Sequence, residues 1–275
     1  MVTIRSVVDP RYAAQRAESK PPKPETYVFA KGEFSRGIAY DSGLERMPFL
    51  QMAQMLAVDL KKQNFVPAKS VTNTDLVVVV HWGVTLGRDK GMDEFLFDPD
   101  RLRQAAEGME TAQALEEEDP IANSGAVGAA AADFRVEMDI ASSMLGSDSV
   151  RSATNAELLG LRSAIEKENE SLFGSAEADM LRSMIDEERY FIILMAYDGP
   201  ALRQGKKRRV WTTRMSIRAA GVNFHMAIDR MSGAAALLHA TPQKGFIMER
   251  TKDRKGAVEI GELKVIGESS LPPRR

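Results

Sequence analysis

Residues 76–80 read Leu-Val-Val-Val-Val, followed by His81 and Trp82. A run so rich in β-branched side chains, with no polar alternation, predicts a strand covered on both faces near the middle of a sheet. Such a strand obliges the rest of the chain to supply covering layers. Phe49, Met52, Ala53, Leu56 and Leu60 follow helical spacing behind a Ser42-Gly-Leu-Glu45 capping pattern, which predicts one helix over 43–63. Pro48 falls early enough for the first turn to accept it, and Lys61-Lys62 sit where the helix dipole favours cations. Asn223 predicts the cap of a second helix over 224–240, ended by Thr241-Pro242.

Further strands are expected at 2–8, closed by Asp9-Pro10, at 26–30, at 190–197 and at 209–217, with a last pair at 246–249 and 257–266. Residues 11–24 are polar, and Pro21, Pro22 and Pro24 mark them as an extended linker. Between the strand at 76 and the strand at 190 the pattern turns helical. Asp98-Pro99 and Asp119-Pro120 each look like an N-cap with Pro at the first helical position, and Thr154-Asn-Ala-Glu157 is another capping box. Helices are expected near 99–117, 124–145, 155–172 and 176–188. The resulting expectation is an α+β fold: a mixed, largely antiparallel sheet with helices on one face and a large helical insertion. The sheet domain is discontinuous, 1–86 and 188–268; the insertion covers 87–187, and 269–275 is a disordered tail. Trp82 and Trp211, each within a strand, are expected core anchors, close in space.

The chemistry-bearing residues exclude more than they identify. Zero cysteines rule out disulfides, thiolate metal sites and cysteine nucleophiles. With 37 Lys+Arg against 39 Asp+Glu, the net charge of −2 excludes a strongly basic nucleic-acid binder. No apolar run is long enough to span a membrane as a helix. The three histidines, His81, His225 and His239, form no close ligand pair, and no nucleophile elbow of the G-x-S-x-G type occurs. The stretch Gly199 to Lys207 has the wrong spacing for a phosphate loop and is followed by a strand rather than a helix. No catalytic residue, cofactor or metal is therefore expected.

Two features point to interaction. Lys206-Lys207-Arg208-Arg209 is the one dense basic cluster, on the tip of a hairpin, suited to a solvated edge or to anionic lipid head groups. Met180 and Met184, two of 15 methionines, could line a partner groove on the insertion. A competing expectation is a small-ligand-binding or enzymatic domain with a pocket between sheet and insertion using His81, Arg214 and His225.

The order of Val8-Asp9-Pro10, Thr26 to Ala30, Asn64-Phe65-Val66, Thr74 to Val79, Arg209-Val210-Trp211-Thr212 and His239 to Pro242 resembles a family of bacterial envelope lipoproteins of unknown function. The likeness covers about residues 2–86 and 189–243 and omits the insertion. Asn64 stands where the family usually has Gly, a position Asn accepts because it tolerates left-handed geometry. The family's lipidated cysteine is missing, and the opening residues lack a secretory apolar stretch, as expected of a chain whose leader has been removed. The strand–helix–strand portion is more distantly similar to the TolB N-terminal domain and the curli pore subunit. The resemblance implies a non-catalytic periplasmic or outer-membrane-anchored protein. The expected partner is another protein, or a second copy, bound through the insertion, with peripheral contact to an anionic membrane and no nucleic acid. The alternative is a cytosolic subunit of a larger assembly.

Overall fold

The computed structural model describes residues 1–18, 20–36, 41–70, 72–88, 104, 148–169, 175–251 and 265–266. In chain order these give β1 (Val2–Val8), α1 (Pro10–Ala17), β2 (Glu25–Ser35), α2 (Ser42–Glu45), α3 (Phe49–Leu60), β3 (Phe65–Pro67) and β4 (Leu76–Val84). Helical residues 148–159 (α4), α5 (Arg162–Asn169) and α6 (Ala176–Asp186) come next. The remainder is β5 (Arg189–Asp198), α7 (Gly199–Arg203), β6 (Arg209–Arg218), α8 (Phe224–Ala235), β7 (Ile247–Glu249) and β8 (Val265–Ile266). The strands form one mixed sheet in the order β3-β2-β4-β5-β6-β1-β7, with β8 also pairing β2. β4, β5, β6, β1 and β7 are joined by antiparallel ladders, whereas β2 runs parallel to β3, β4 and β8. The fold is α+β.

The period-2 alternation of each strand divides its side chains between two cores. Leu76, Val78, Val80 and Trp82 of β4, with Ile192, Leu194 and Ala196 of β5, face α3 and α8, whose Met52, Leu56, Leu60, Phe224, Ile228 and Met231 complete the main core. Phe191 and Ile193, pointing the other way from β5, pack with Ala156, Leu159, Leu161, Leu181, Met184 and Ile185. Both faces of β5 are therefore covered, by different helices. Trp82 and Trp211 are both buried but keep separate company: Trp82 against Phe34 and Phe49, Trp211 against Phe65 and His239.

Several expectations are corrected. Asp9-Pro10 opens a helix instead of a turn: Asp9 accepts from the Arg11 and Tyr12 amides and Pro10 takes the first helical position, so α1 replaces most of the expected linker. The helix expected over 43–63 is two helices, α2 capped by Asp41 and α3 starting after Pro48, because the proline lacks the amide that a continuous ladder needs. Asn64 takes the left-handed conformation at φ 61°, which asparagine tolerates better than most residues.

The two helices expected on one face of the sheet are there, α3 and α8 together, whereas the insertion is shorter than the expected 87–187. The chain divides into one unit of 1–87 plus 155–275 and a second of 88–154. Residues 155–187 belong to the sheet-bearing unit because their apolar side chains fill its second core. Thr154 is no helix cap, since α4 passes through it, and Gly160 at φ 71° ends α4. The helices expected at 99–117 and 124–145 and the tail at 269–275 lie outside the described residues.

The first unit is closed at the base of the insertion by one side chain. Asn155 is fully buried; its Oδ1 accepts from the Leu86 amide at 3.3 Å, and its Nδ2 donates to the carbonyls of Leu86 at 2.7 Å and Ile185 at 2.8 Å. That clamp ties the two chain segments flanking 88–154 to each other and to the end of α6.

Candidate functional site

The connections at one end of the sheet collect an excess of positive charge. Three segments meet there, 9–25 after β1, 61–75 around β3, and 198–209 between β5 and β6. Backbone bonds join them: Asp9 N–H to Val210 O at 2.8 Å, Glu25 N–H to Asn64 O at 3.0 Å, Asp75 N–H to Thr26 O at 3.1 Å and Gly199 N–H to Asp75 O at 2.8 Å. Together the segments hold 12 Lys and Arg against five Asp and Glu, a local balance of +7 in a chain of net charge −2. Eleven of the twelve cations are exposed; Arg16 is the exception. Lys61, Lys69, Lys206, Lys207 and Arg209 have no carboxylate partner among the described residues, whereas Arg208 pairs with Asp198 and Lys62 with Asp59.

Beneath this surface lies a cleft of ≈ 240 Å³ lined by Tyr12, Arg16, Lys23, Glu25 and Asp75 among others. Its floor is already satisfied. Tyr12 donates to Glu25 Oε2 at 2.8 Å, and Arg16 pairs with the other Glu25 oxygen, donates to Gln63 O at 2.8 Å and lies 4.3 Å over the Phe65 ring. Burial and the Glu25 carboxylate push the Tyr12 hydroxyl well above the ordinary tyrosine range, so it stays a neutral donor. Asp75 accepts from the Thr26 amide at 2.7 Å and hydroxyl at 2.6 Å. The cleft braces α1 against β2, and the exposed cations around it are the part free to meet a partner.

The residues singled out by sequence fall in three places. Lys206, Lys207, Arg208 and Arg209 are all exposed at the basic end, on a connection that also holds the short helix α7. Met184 is buried in the second core and Met180 is half-buried, one turn before it on α6. His81 and Arg214 share the second face in one register row, His81 opposite Ile193 and Ile193 opposite Arg214. His225 is exposed on α8, which covers the other face, so the three do not line one pocket.

His81 Nδ1 accepts from the Glu33 amide at 3.0 Å, with Gly32 giving the imidazole room, and burial lowers its pKa. Arg214 Nη2 donates to Glu157 at 3.3 Å and Arg5 donates to Gly160 O, so both arginines fasten the turn after α4 to the sheet. Gly160 has no alternative there: its φ is positive, and a Cβ would stand 2.7 Å from Arg214 Cδ.

One constellation was not visible in the sequence. Asp59 of α3, Ser232 of α8 and His239 are each about 1% exposed, and Ser232 donates to Asp59 Oδ2 at 2.5 Å. The set has the residue types of a hydrolase triad but the wrong wiring, because the serine bonds the carboxylate directly instead of a histidine nitrogen. His239 stacks beside Trp211 at 6.0 Å between ring centroids, and burial lowers its pKa to about 4. The only signal in the sequence was a polar residue at a core position of each helix, 59 and 232.

Comparison with known protein families and with curated proteins finds no match for this chain.

Proposed function

We propose that this chain is a non-catalytic binding protein of the bacterial cell envelope, periplasmic or anchored to the outer membrane, whose sheet-bearing unit docks by its basic end onto an anionic lipid surface. The observation that carries the reading is the balance of +7 gathered at one end of the sheet by three segments distant in sequence. Each basic residue near an anionic bilayer contributes about 1 kcal/mol, within a screening length of about 8 Å at physiological salt. The triple variant Lys206→Gln/Lys207→Gln/Arg209→Gln should therefore bind vesicles containing phosphatidylglycerol on the order of 100-fold more weakly. Arg46→Gln and Arg250→Gln, at the opposite end of the strands, should leave binding unchanged. Co-sedimentation across a salt series measures both. Equal binding to neutral phosphatidylcholine vesicles, or tighter binding to a single-stranded oligonucleotide, would refute the lipid reading.

A second reading follows from the separate unit 88–154, which interrupts the sheet fold and offers a surface for another protein or a second copy of the chain. Because Asn155 pins the two flanking segments together, residues 88–154 can be replaced by a two-residue Gly-Ser bridge. The shortened chain should keep its melting transition and lose self-association by light scattering or partner capture. Association retained in full by a folded deletion variant would rule this reading out.

A further inference from the structure

A second cleft, of ≈ 280 Å³, opens between α6 and the start of the sheet, away from the basic end. Met1, Met180, Met184 and Met248 form its apolar walls, and Arg189, Arg218 and Glu187 its polar side. Thioether side chains are flexible and polarisable, which suits a wall that adapts to an apolar ligand. The polar side is unbalanced in charge. Arg189 is buried with its side chain 6% exposed, fixed by Thr3 Oγ1 at 3.2 Å and Ser216 Oγ at 3.3 Å. Its one carboxylate, Glu187, stands 3.4 Å away and also faces Arg218 Nε at 3.8 Å. Two guanidiniums thus share one carboxylate, and among the described lining residues no other acid answers them.

From this juxtaposition we propose that the cleft binds a short-chain amphiphilic carboxylate, with its hydrocarbon on Met180, Met184 and Met248 and its carboxylate on Arg218 at the mouth and Arg189 behind. Arginine is suited to the head group because its planar fork pairs both carboxylate oxygens. The volume lies just under the ~300–1,000 Å³ typical of small-molecule sites, which limits the tail to a short chain. A soft monovalent cation would also suit thioethers, but the excess positive charge opposes it. The site is independent of the docking surface and stands or falls separately.

The test is methyl NMR on methionine-labelled full-length protein, titrated with octanoate, octanol and octylamine in parallel. Octanoate should shift the methyls of Met180, Met184 and Met248 and leave Met52 and Met231, in the main core, unmoved. Octanol and octylamine should bind at least tenfold more weakly. Arg218→Gln, whose side chain is 63% exposed and so carries little of the fold, should weaken octanoate about tenfold without changing the melting temperature. Met180→Glu, at a half-buried wall position, should abolish the shifts. Octanol binding as tightly as octanoate, unchanged affinity in Arg218→Gln, or shifts elicited by silver(I) but not octanoate would each overturn the proposal.

Discussion

Asn155→Leu should lower the unfolding free energy of the sheet-bearing unit by about 4 kcal/mol, although it adds apolar surface to a fully buried site. The side chain makes three bonds to the main chain, one as acceptor from Leu86 N–H and two as donor to Leu86 O and Ile185 O. Leucine makes none of these three bonds to the main chain, and the loss of each costs about 1–1.5 kcal/mol. Asn155→Asp is the sharper control. It keeps an acceptor for Leu86 N–H but turns a second oxygen on two carbonyls, so it should be no better tolerated than leucine. Urea denaturation reads the loss directly, and for a chain of this size the melting temperature should drop by about 10 °C. A loss under ~1 kcal/mol for both variants would mean that water replaces the amide and that the clamp does not hold the base of the insertion.

Acidification should destabilise the protein through His239 before most carboxylates are protonated. The imidazole is buried beside Trp211, and burial lowers its pKa from 6.5 to about 4 against the opposing pull of Asp59, itself paired with Lys62 and Ser232. Below pH 6.5 the unfolded chain takes up a proton at this position while the folded chain does not, so stability falls as pH drops. The limiting slope is about 1.4 kcal/mol per pH unit, and the loss levels off near pH 4, where the folded imidazole also charges. Over that window the contribution amounts to about 3 kcal/mol. His81, whose pKa burial also lowers, adds in the same direction. His239→Leu should remove most of the slope between pH 6.5 and 4 while leaving stability at pH 8 within ~2 kcal/mol of the parent. An unchanged slope in a folded His239→Leu would assign the acid sensitivity elsewhere.

Local pattern made much of the architecture legible. The β-branched run at 76–80, the alternation of β5 and β6, and the apolar stripes of α3 and α8 are each set by neighbours a few residues away, and each forms where expected. The misses have local causes too. An N-cap followed by proline reads as a helix start at Asp98 and Asp119, which lie outside the described residues; the same pair at Asp9-Pro10 starts a helix too, although Pro21, Pro22 and Pro24 give the segment after it the composition of a linker. The boundary at 187 differs from the structure's division at 154 for a different reason. Helical periodicity says that residues 155–187 are helical, but not that their apolar faces close the second face of the sheet on Phe191 and Ile193.

The candidate site was less legible than the fold. The basic tip at 206–209 is contiguous in sequence and so could be seen, but seven of the twelve cations around it come from two other segments. His81, Arg214 and His225 are too far apart in sequence for any local pattern to fix which face each occupies. The sheet places two of them on one face, and α8 carries the third over the other.

What the sequence by itself determined is the α+β class, the inner strand and the two helices of the main core, since periods of 2 and 3.6 residues are properties of a few consecutive turns or pleats. Tertiary structure alone decided which charges stand together and which polar residues are sealed away. Strand direction and order bring residues 9–25, 61–75 and 198–209 to one end and lay Met180 beside Arg189. The packing of α3 on α8 joins Asp59 to Ser232 across 173 residues of chain. Coulombic attraction and hydrogen bonding act across space rather than along the chain, so no local pattern records them.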